Sequence, residues 1–189
     1  IFKILKSYSS LGEETLKDGT ILIGKAPHIA PMAWLHKIYP GLSTAEIGTL
    51  EKELGAKIPV VFKDFLQITN GLSVFNTTLC IYGLRKNYIR TIENVWQPFD
   101  IKTPNLYERP KGSKENCFFI GSYFWDGSKL YIDTIDNKVY RCSNNSSKPI
   151  NMWNSFPDML KVEIKRLCKL FDKDGKAIDG RIATTPPKN

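Results

Sequence analysis

Histidine is nearly missing from this chain: His28 and His36 are the only two. A serine or cysteine hydrolase needs a base beside its nucleophile, and both histidines fall in the stretch with the fewest domain-like signals. Their i, i+8 spacing is too wide for a helical zinc pair, no H-E-x-x-H occurs, and clustered zinc ligands are lacking. Both read as ordinary surface or capping histidines. Phosphate loops are missing too, since neither G-x-x-x-x-G-K-[ST] nor G-x-G-x-x-G after a strand is present. The four cysteines, Cys80, Cys117, Cys142 and Cys168, form no C-x-x-C pair. They read as small buried hydrophobes of a reducing compartment, so a cytoplasmic location is expected. No apolar run approaches the ~20 residues of a membrane-spanning helix. The start, Ile1 to Lys6, is broken by lysines and does not read as a secretion signal.

What is present describes an ordinary folded domain. Apolar and charged residues make up 42% and 24% of the 189 positions, which excludes wholesale disorder. That length fits one domain, or one domain with appendages, and is enough to bury a core without metal or disulfide staples. The net charge of +8 would attract an acidic protein or nucleic acid. Its lysines are dispersed, however, and the densest stretch, Lys161 to Lys176, also holds Glu163, Asp172 and Asp174. That pattern is a solvated face, which places nucleic-acid binding last among the readings. Asp172-Lys173-Asp174-Gly175 is a polar turn: were Gly175 the glycine of a calcium loop, Leu170 and Arg181 would fall at ligand positions. No metal and no cofactor are expected.

Periodicity supplies the elements. Residues 1–41 read as an extension packed on the domain, with Thr20–Ile23 as a strand or arm and Ala30–Tyr39 as a short helix carrying Met32, Leu35 and Ile38. Ser43 with Glu46 makes a capping box, and Ile47, Leu50 and Leu54 form one stripe ended by Gly55. Pro59 opens a second helix bearing Phe62, Phe65 and Leu66, ended by Asn70-Gly71, so that a helical hairpin results. Leu79–Tyr82 is a buried strand. Residues Arg85–Ser113, with Pro98, Pro104 and Pro110, form a long surface excursion of the kind that carries function. Cys117–Gly121, Lys129–Thr134 and Lys138–Cys142 make an antiparallel meander, with turns at Asp126-Gly127 and Asp136-Asn137. Ser155 caps a last helix running to about Phe171, and 172–189 is a polar tail. The fold class is α+β: an antiparallel or mixed sheet with an N-terminal helical hairpin and a C-terminal helix packed on it.

These residues carry a resemblance. Tyr39 to Pro59, with Glu51 inside it, followed by Phe62, Phe65, Asn70 and Gly71, resembles the opening of the SUKH superfamily. Phe119-Ile120-Gly121-Ser122, Asp126-Gly127, Tyr131-Ile132-Asp133, Val139-Tyr140 and Trp153 resemble its later part, so that 42–171 is similar to a SUKH domain. Each residue also has a plain structural use. Glu51 can be a capping partner, Gly121 a close-packing position, Gly127 a turn glycine, and Trp153 a wedge under the last helix. That superfamily includes yeast regulators of cell-wall glucan synthesis and bacterial immunity proteins. The resemblance implies a non-catalytic domain that caps a partner toxin, or alternatively a regulatory scaffold for glucan synthesis.

No catalytic constellation emerges from the residues themselves. Asp126, Asp133 and Asp136 fall near one another, but turn chemistry accounts for them. The chain has one unusual run, Tyr123-Phe124-Trp125, and three adjacent aromatics cannot all face one core across a pleated strand. Tyr and Trp are common anchors of protein interfaces. The expected partner-contact residues are therefore Tyr123, Trp125 and Asp126 at this turn, with Tyr107 and Arg109 from the long loop.

Overall fold

A computed structural model describes residues 1–89 and 93–188. The strands are β1 (Glu13–Thr15), β2 (Ile21–Lys25), β3 (Trp34–Ile38), β4 (Leu72–Val74), β5 (Leu79–Ile81), β6 (Cys117–Tyr123), β7 (Lys129–Asp133), β8 (Val139–Ser143) and β9 (Ser146–Trp153). They form one nine-stranded sheet whose spatial order is the sequence order. Every pairing is antiparallel. The helices are the short α1 (Phe2–Leu5), α2 (Thr44–Leu54), α3 (Val60–Ile68) and the C-terminal α4 (Phe156–Leu167). The fold is α+β, with the sheet antiparallel rather than mixed.

Helix α2 starts where the capping box requires: the Glu46 N–H donates to Ser43 Oγ at 3.2 Å, and Ser43 N–H donates to Glu46 Oε2 at 2.8 Å. Ile47, Leu50 and Leu54 are its buried face. Pro59 occupies the N-cap of α3 rather than its first turn, and Phe62, Phe65 and Leu66 are buried. Phe62 and Phe65 stack at 5.7 Å, and Phe156 of α4 meets both edge-on. Glu51 ties the two helices together, accepting from Ile58 N–H at 3.1 Å and pairing with Lys57 at 3.0 Å and Lys63 at 2.8 Å. The hydrogen bond from Lys63 leads in holding its carboxyl at about 2.

The first forty residues depart from expectation. Ala30–Tyr39 contains no helix; Trp34–Ile38 is β3, paired with β2 and β4. Leu35 and Ile38 imitate a helical stripe because this strand is covered on both faces, which removes the alternation that would reveal it. His36 is not a surface residue. It is fully buried on β3, edge-on to Tyr8 and Phe75. Strands β4 and β9 also add to what the periodicity shows. Helix α4 ends at Leu167, and Phe171 instead leaves the helix to stack on Phe75 at 4.1 Å.

A bulge in β6 changes how its residues divide between the two faces of the sheet. Alternation puts Phe118 and Ile120 in the main core and Cys117 and Phe119, with Tyr131 and Cys142, in a second cluster; the register shift between Phe119 and Gly121 then reverses the alternation, so that Tyr123 joins the main core. Gly121 is needed here because a Cβ would stand 2.5 Å from Cys80 O.

Candidate functional site

The aromatic turn between β6 and β7 divides its three rings. Tyr123 is only 1% exposed, and its hydroxyl donates to Glu163 Oε2 at 2.6 Å. Its side chain therefore does not belong to an exposed contact surface, because it occupies the helix-facing side of the strand. Phe124 and Trp125 are instead exposed, at 79% and 48%. Asp126 makes the turn rigid: Oδ1 accepts Ser128 N–H at 2.9 Å, and Oδ2 accepts Arg141 Nη2 at 2.6 Å. Burial opposes ionisation of Asp126, but the bonds from Ser128 and Arg141 outweigh it and hold the carboxyl below its ordinary range. Gly127 follows at φ 67°, a conformation suited to glycine.

Behind the turn lies a polar network that connects it to the C-terminal helix and the last described residues. Arg141 is buried and donates to Ser128 Oγ and Asn151 Oδ1, each at 2.9 Å, and to Pro186 O at 2.7 Å. Its guanidinium lies 5.8 Å from the Tyr123 ring centroid. Glu163, the acceptor of Tyr123, pairs with Arg166 at 2.7 Å. Arg166 in turn donates to Thr184 O at 2.6 Å, and Asn151 Nδ2 donates to Pro187 O at 2.7 Å. Burial, with Glu163 beside it, pushes the Tyr123 phenol well above its ordinary value. A visible signal existed for these groups. Arg141 alternates with Val139 on the core-facing side of β8, and Glu163 falls on the apolar stripe of α4 seven residues after Phe156.

The long excursion between β5 and β6 is pinned to the body, and residues 90–92 of it lie outside the described residues. Lys86 pairs with Glu46 and Lys102 with Glu53 of α2, the latter at 3.0 Å. Asn70 holds its start, donating to Leu84 O at 2.8 Å and accepting Leu84 N–H at 2.6 Å. A single π-helical turn, Thr103–Tyr107, crosses to β6 through Asn105, which accepts Phe119 N–H at 2.9 Å and donates to Phe119 O at 2.8 Å. Tyr107 stands 78% exposed. Arg109 does not reach outward. It donates to Lys114 O at 2.7 Å and Cys117 O at 3.1 Å, and covers the Phe119 ring at 5.4 Å. Three carbonyl acceptors, Asn105 O at 3.3 Å being the third, make it a clip for the loop.

The remaining positions of the resemblance act in the scaffold. Gly71 lies too close to Ile81 O for a side chain. Asp133 accepts Ile135 N–H at 2.9 Å to shape the β7–β8 turn, and Trp153 is buried opposite Val139.

The outer face of the sheet, away from the main core, is where concavity occurs. Pairing places Leu22, Lys37, Ser73, Cys80, Ser122, Lys129 and Cys142 in one cross-strand row. Four strand spacings, about 19 Å, separate the Lys37 and Lys129 backbones. Small side chains form the middle of the row, under a hollow of about 220 Å³ lined by Cys80, Ser122 and Lys129 with Phe99 and Phe124. Phe99 is exposed like Phe124. Lys129 donates to Glu108 O at 2.6 Å, while Lys37 lies over the Trp96 ring at 5.2 Å. Desolvation lowers both ammonium pKa values. At the other end of this face, a larger cleft of about 540 Å³ opens between the β1–β2 turn and the long excursion.

Among the described residues, no three His, Cys, Asp or Glu side chains are grouped to hold a metal ion. Burial pushes the Cys80 and Cys142 thiols up to about 12, far from the reactive thiolate range. No helix among the described residues is long and apolar enough to cross a membrane.

An α+β domain with one ordered antiparallel sheet, helices on one face and an aromatic-edged outer face thus defines the class. The chain belongs to the SMI1/KNR4 (SUKH-1) family, whose model matches residues 41–162. No curated protein matches it. The match spans α2 through most of α4, so β1–β3 and the C-terminal strap lie outside it.

Proposed function

We propose that this chain is a non-catalytic protein-binding domain of the immunity type, acting in the cytoplasm by capping the working surface of a partner toxin. The supporting observation is the pair Phe124 and Trp125, exposed on a turn that the Asp126–Arg141 bridge makes rigid, beside the hollow that Phe99 walls. Interface energy concentrates in such aromatic anchors, because a pre-ordered ring loses little freedom on binding. The net charge of +8 suits an acidic toxin surface. Tyr107 would lie at the rim of the contact.

The test is to capture the partner with the intact chain from its own cells, then measure its affinity for wild type and for the double variant Phe124→Ala, Trp125→Ala. Loss of affinity by roughly 100-fold, at unchanged circular dichroism, is expected for two anchors. Full affinity in the double variant would remove this surface from the interaction. A captured toxin would support the immunity role, whereas a cell-wall synthesis component would favour the regulatory scaffold. Steeply salt-dependent binding to generic DNA would point to the nucleic-acid class.

A further inference from the structure

We infer that the 540 Å³ cleft is a second contact point on the same partner, built to take an aromatic side chain from an extended acidic segment. This rests on the reading of the chain as a protein-binding domain and adds the chemistry of what it binds. Four apolar side chains, Leu16, Pro40, Leu84 and Pro98, wall the cleft with the indole of Trp96. Its volume lies within the range of true ligand sites, about 300–1,000 Å³. Trp96 is held in place by Lys37, whose ammonium lies over its ring.

The pointer to an occupant is Tyr39, which lines the cleft while only 5% exposed. Its hydroxyl has no hydrogen-bond partner among the described residues. Among the described residues, the one fully enclosed side-chain nitrogen or oxygen without a partner is His36 Nε2, so Tyr39 Oη keeps some contact with solvent, and the cleft is the cavity that Tyr39 lines. A buried phenol with an unused donor calls for an acceptor, and a peptide carbonyl beside an inserted ring would supply it.

Charge selects the sign of the segment. Lys17 and Lys86 stand on the lining, and Arg85 is close enough to Tyr39 to affect its ionisation. The carboxylate on the lining, Asp18, is occupied within its own turn, accepting Thr20 N–H at 2.9 Å and Thr20 Oγ1–H at 3.0 Å. Lys86 is matched by Glu46, but Lys17 is exposed and makes no ion pair among the described residues. Carboxylates flanking an aromatic residue would complement this rim.

The probe is the peptide acetyl-Glu-Asp-Phe-Asp-Glu-amide, with its Phe→Ala version and phenylacetate as controls. Binding is read from the Trp96 indole N–H signal in ¹H–¹⁵N spectra of the full chain, assigned with Trp96→Phe. The peptide should move that signal saturably, and the Ala version should bind at least about tenfold more weakly. Tyr39→Phe should weaken binding about fivefold without shifting the unfolding midpoint, since the lost hydroxyl has no partner within the protein. Lys17→Glu should weaken it further, as should raising salt from about 50 to about 300 mM. An unmoved Trp96 signal, equal binding by Tyr39→Phe and Lys17→Glu, or phenylacetate binding as tightly as the peptide would overturn the inference. The double variant Phe124→Ala, Trp125→Ala should keep its Trp96 response, so failure at the cleft and failure at the aromatic turn are read separately.

Discussion

Between pH 7.5 and 5.0, acid should weaken this protein through His36. Its ring is fully buried, with Nδ1 accepting Phe75 N–H at 3.3 Å and the faces of Tyr8 and Phe75 around it. Nε2 has no partner, so protonation would place a cation in an apolar box. Desolvation lowers its pKa from the usual 6.5 to about 3. In the unfolded chain the imidazole takes up its proton below about pH 6.5, whereas the folded chain takes it up only near pH 3. Stability tied to this residue is therefore complete at neutral pH and falls as pH drops, by about 1.4 kcal/mol per unit between those limits. From pH 7.5 to 5.0 the loss is about 2 kcal/mol. Urea unfolding followed by circular dichroism at both pH values measures it. The comparison is His36→Asn, which keeps an acceptor for Phe75 N–H but cannot titrate. That variant leaves a small cavity and starts less stable, yet its dependence on pH over this window should be flatter by about 2 kcal/mol. Parallel pH profiles for the two proteins, or an NMR titration of His36 with a midpoint above about 5, would refute the reasoning.

Arg141→Met should cost about 3–5 kcal/mol and lower the melting temperature by about 10 °C, because it strips Asp126, Asn151 and Pro186 of their shared donor; calorimetry checks this. Glu51→Gln should cost about 1–2 kcal/mol at pH 5. With the native carboxyl at about 2, that stability is present above the ordinary carboxylate pKa and lost as pH falls towards 2, so the gap to wild type should narrow between pH 5 and pH 3 in urea titrations. Of the four thiols, Cys168 alone is partly exposed. Ellman's reagent should modify at most one thiol per native chain quickly, and all four in urea.

Those parts of the fold whose chemistry is local were legible in the sequence. The Ser43–Glu46 box, the stripe of α2 and the turn at Asp126-Gly127 depend on neighbours a few residues away. Strand β3 was not legible, because cover on both faces erased its alternation and left Leu35 and Ile38 at a helix-like spacing. Strand β9 carries Lys148 and Pro149, which suit the sheet's last strand but do not resemble a buried one. At the candidate surface, the excess of aromatics in Tyr123-Phe124-Trp125 was visible, but which ring turns inward depended on the β6 bulge and on Glu163 from a distant helix. The setting of Arg109 was hidden for a similar reason: an arginine that clips a loop and one on an open surface look alike until the carbonyls around it are known. Tyr39 and Trp96 meet across a separation that no local pattern spans.

The docking of Thr184–Pro187 onto Arg141, Arg166 and Asn151 has a consequence for synthesis on the ribosome. Each strand finds its neighbour already made, so the sheet can assemble progressively as it emerges. The arginine pocket behind the aromatic turn cannot close until those four residues have left the exit tunnel. A nascent chain would thus present a nearly finished sheet with its aromatic turn still unlocked, and maturation of that turn would wait for those residues to dock.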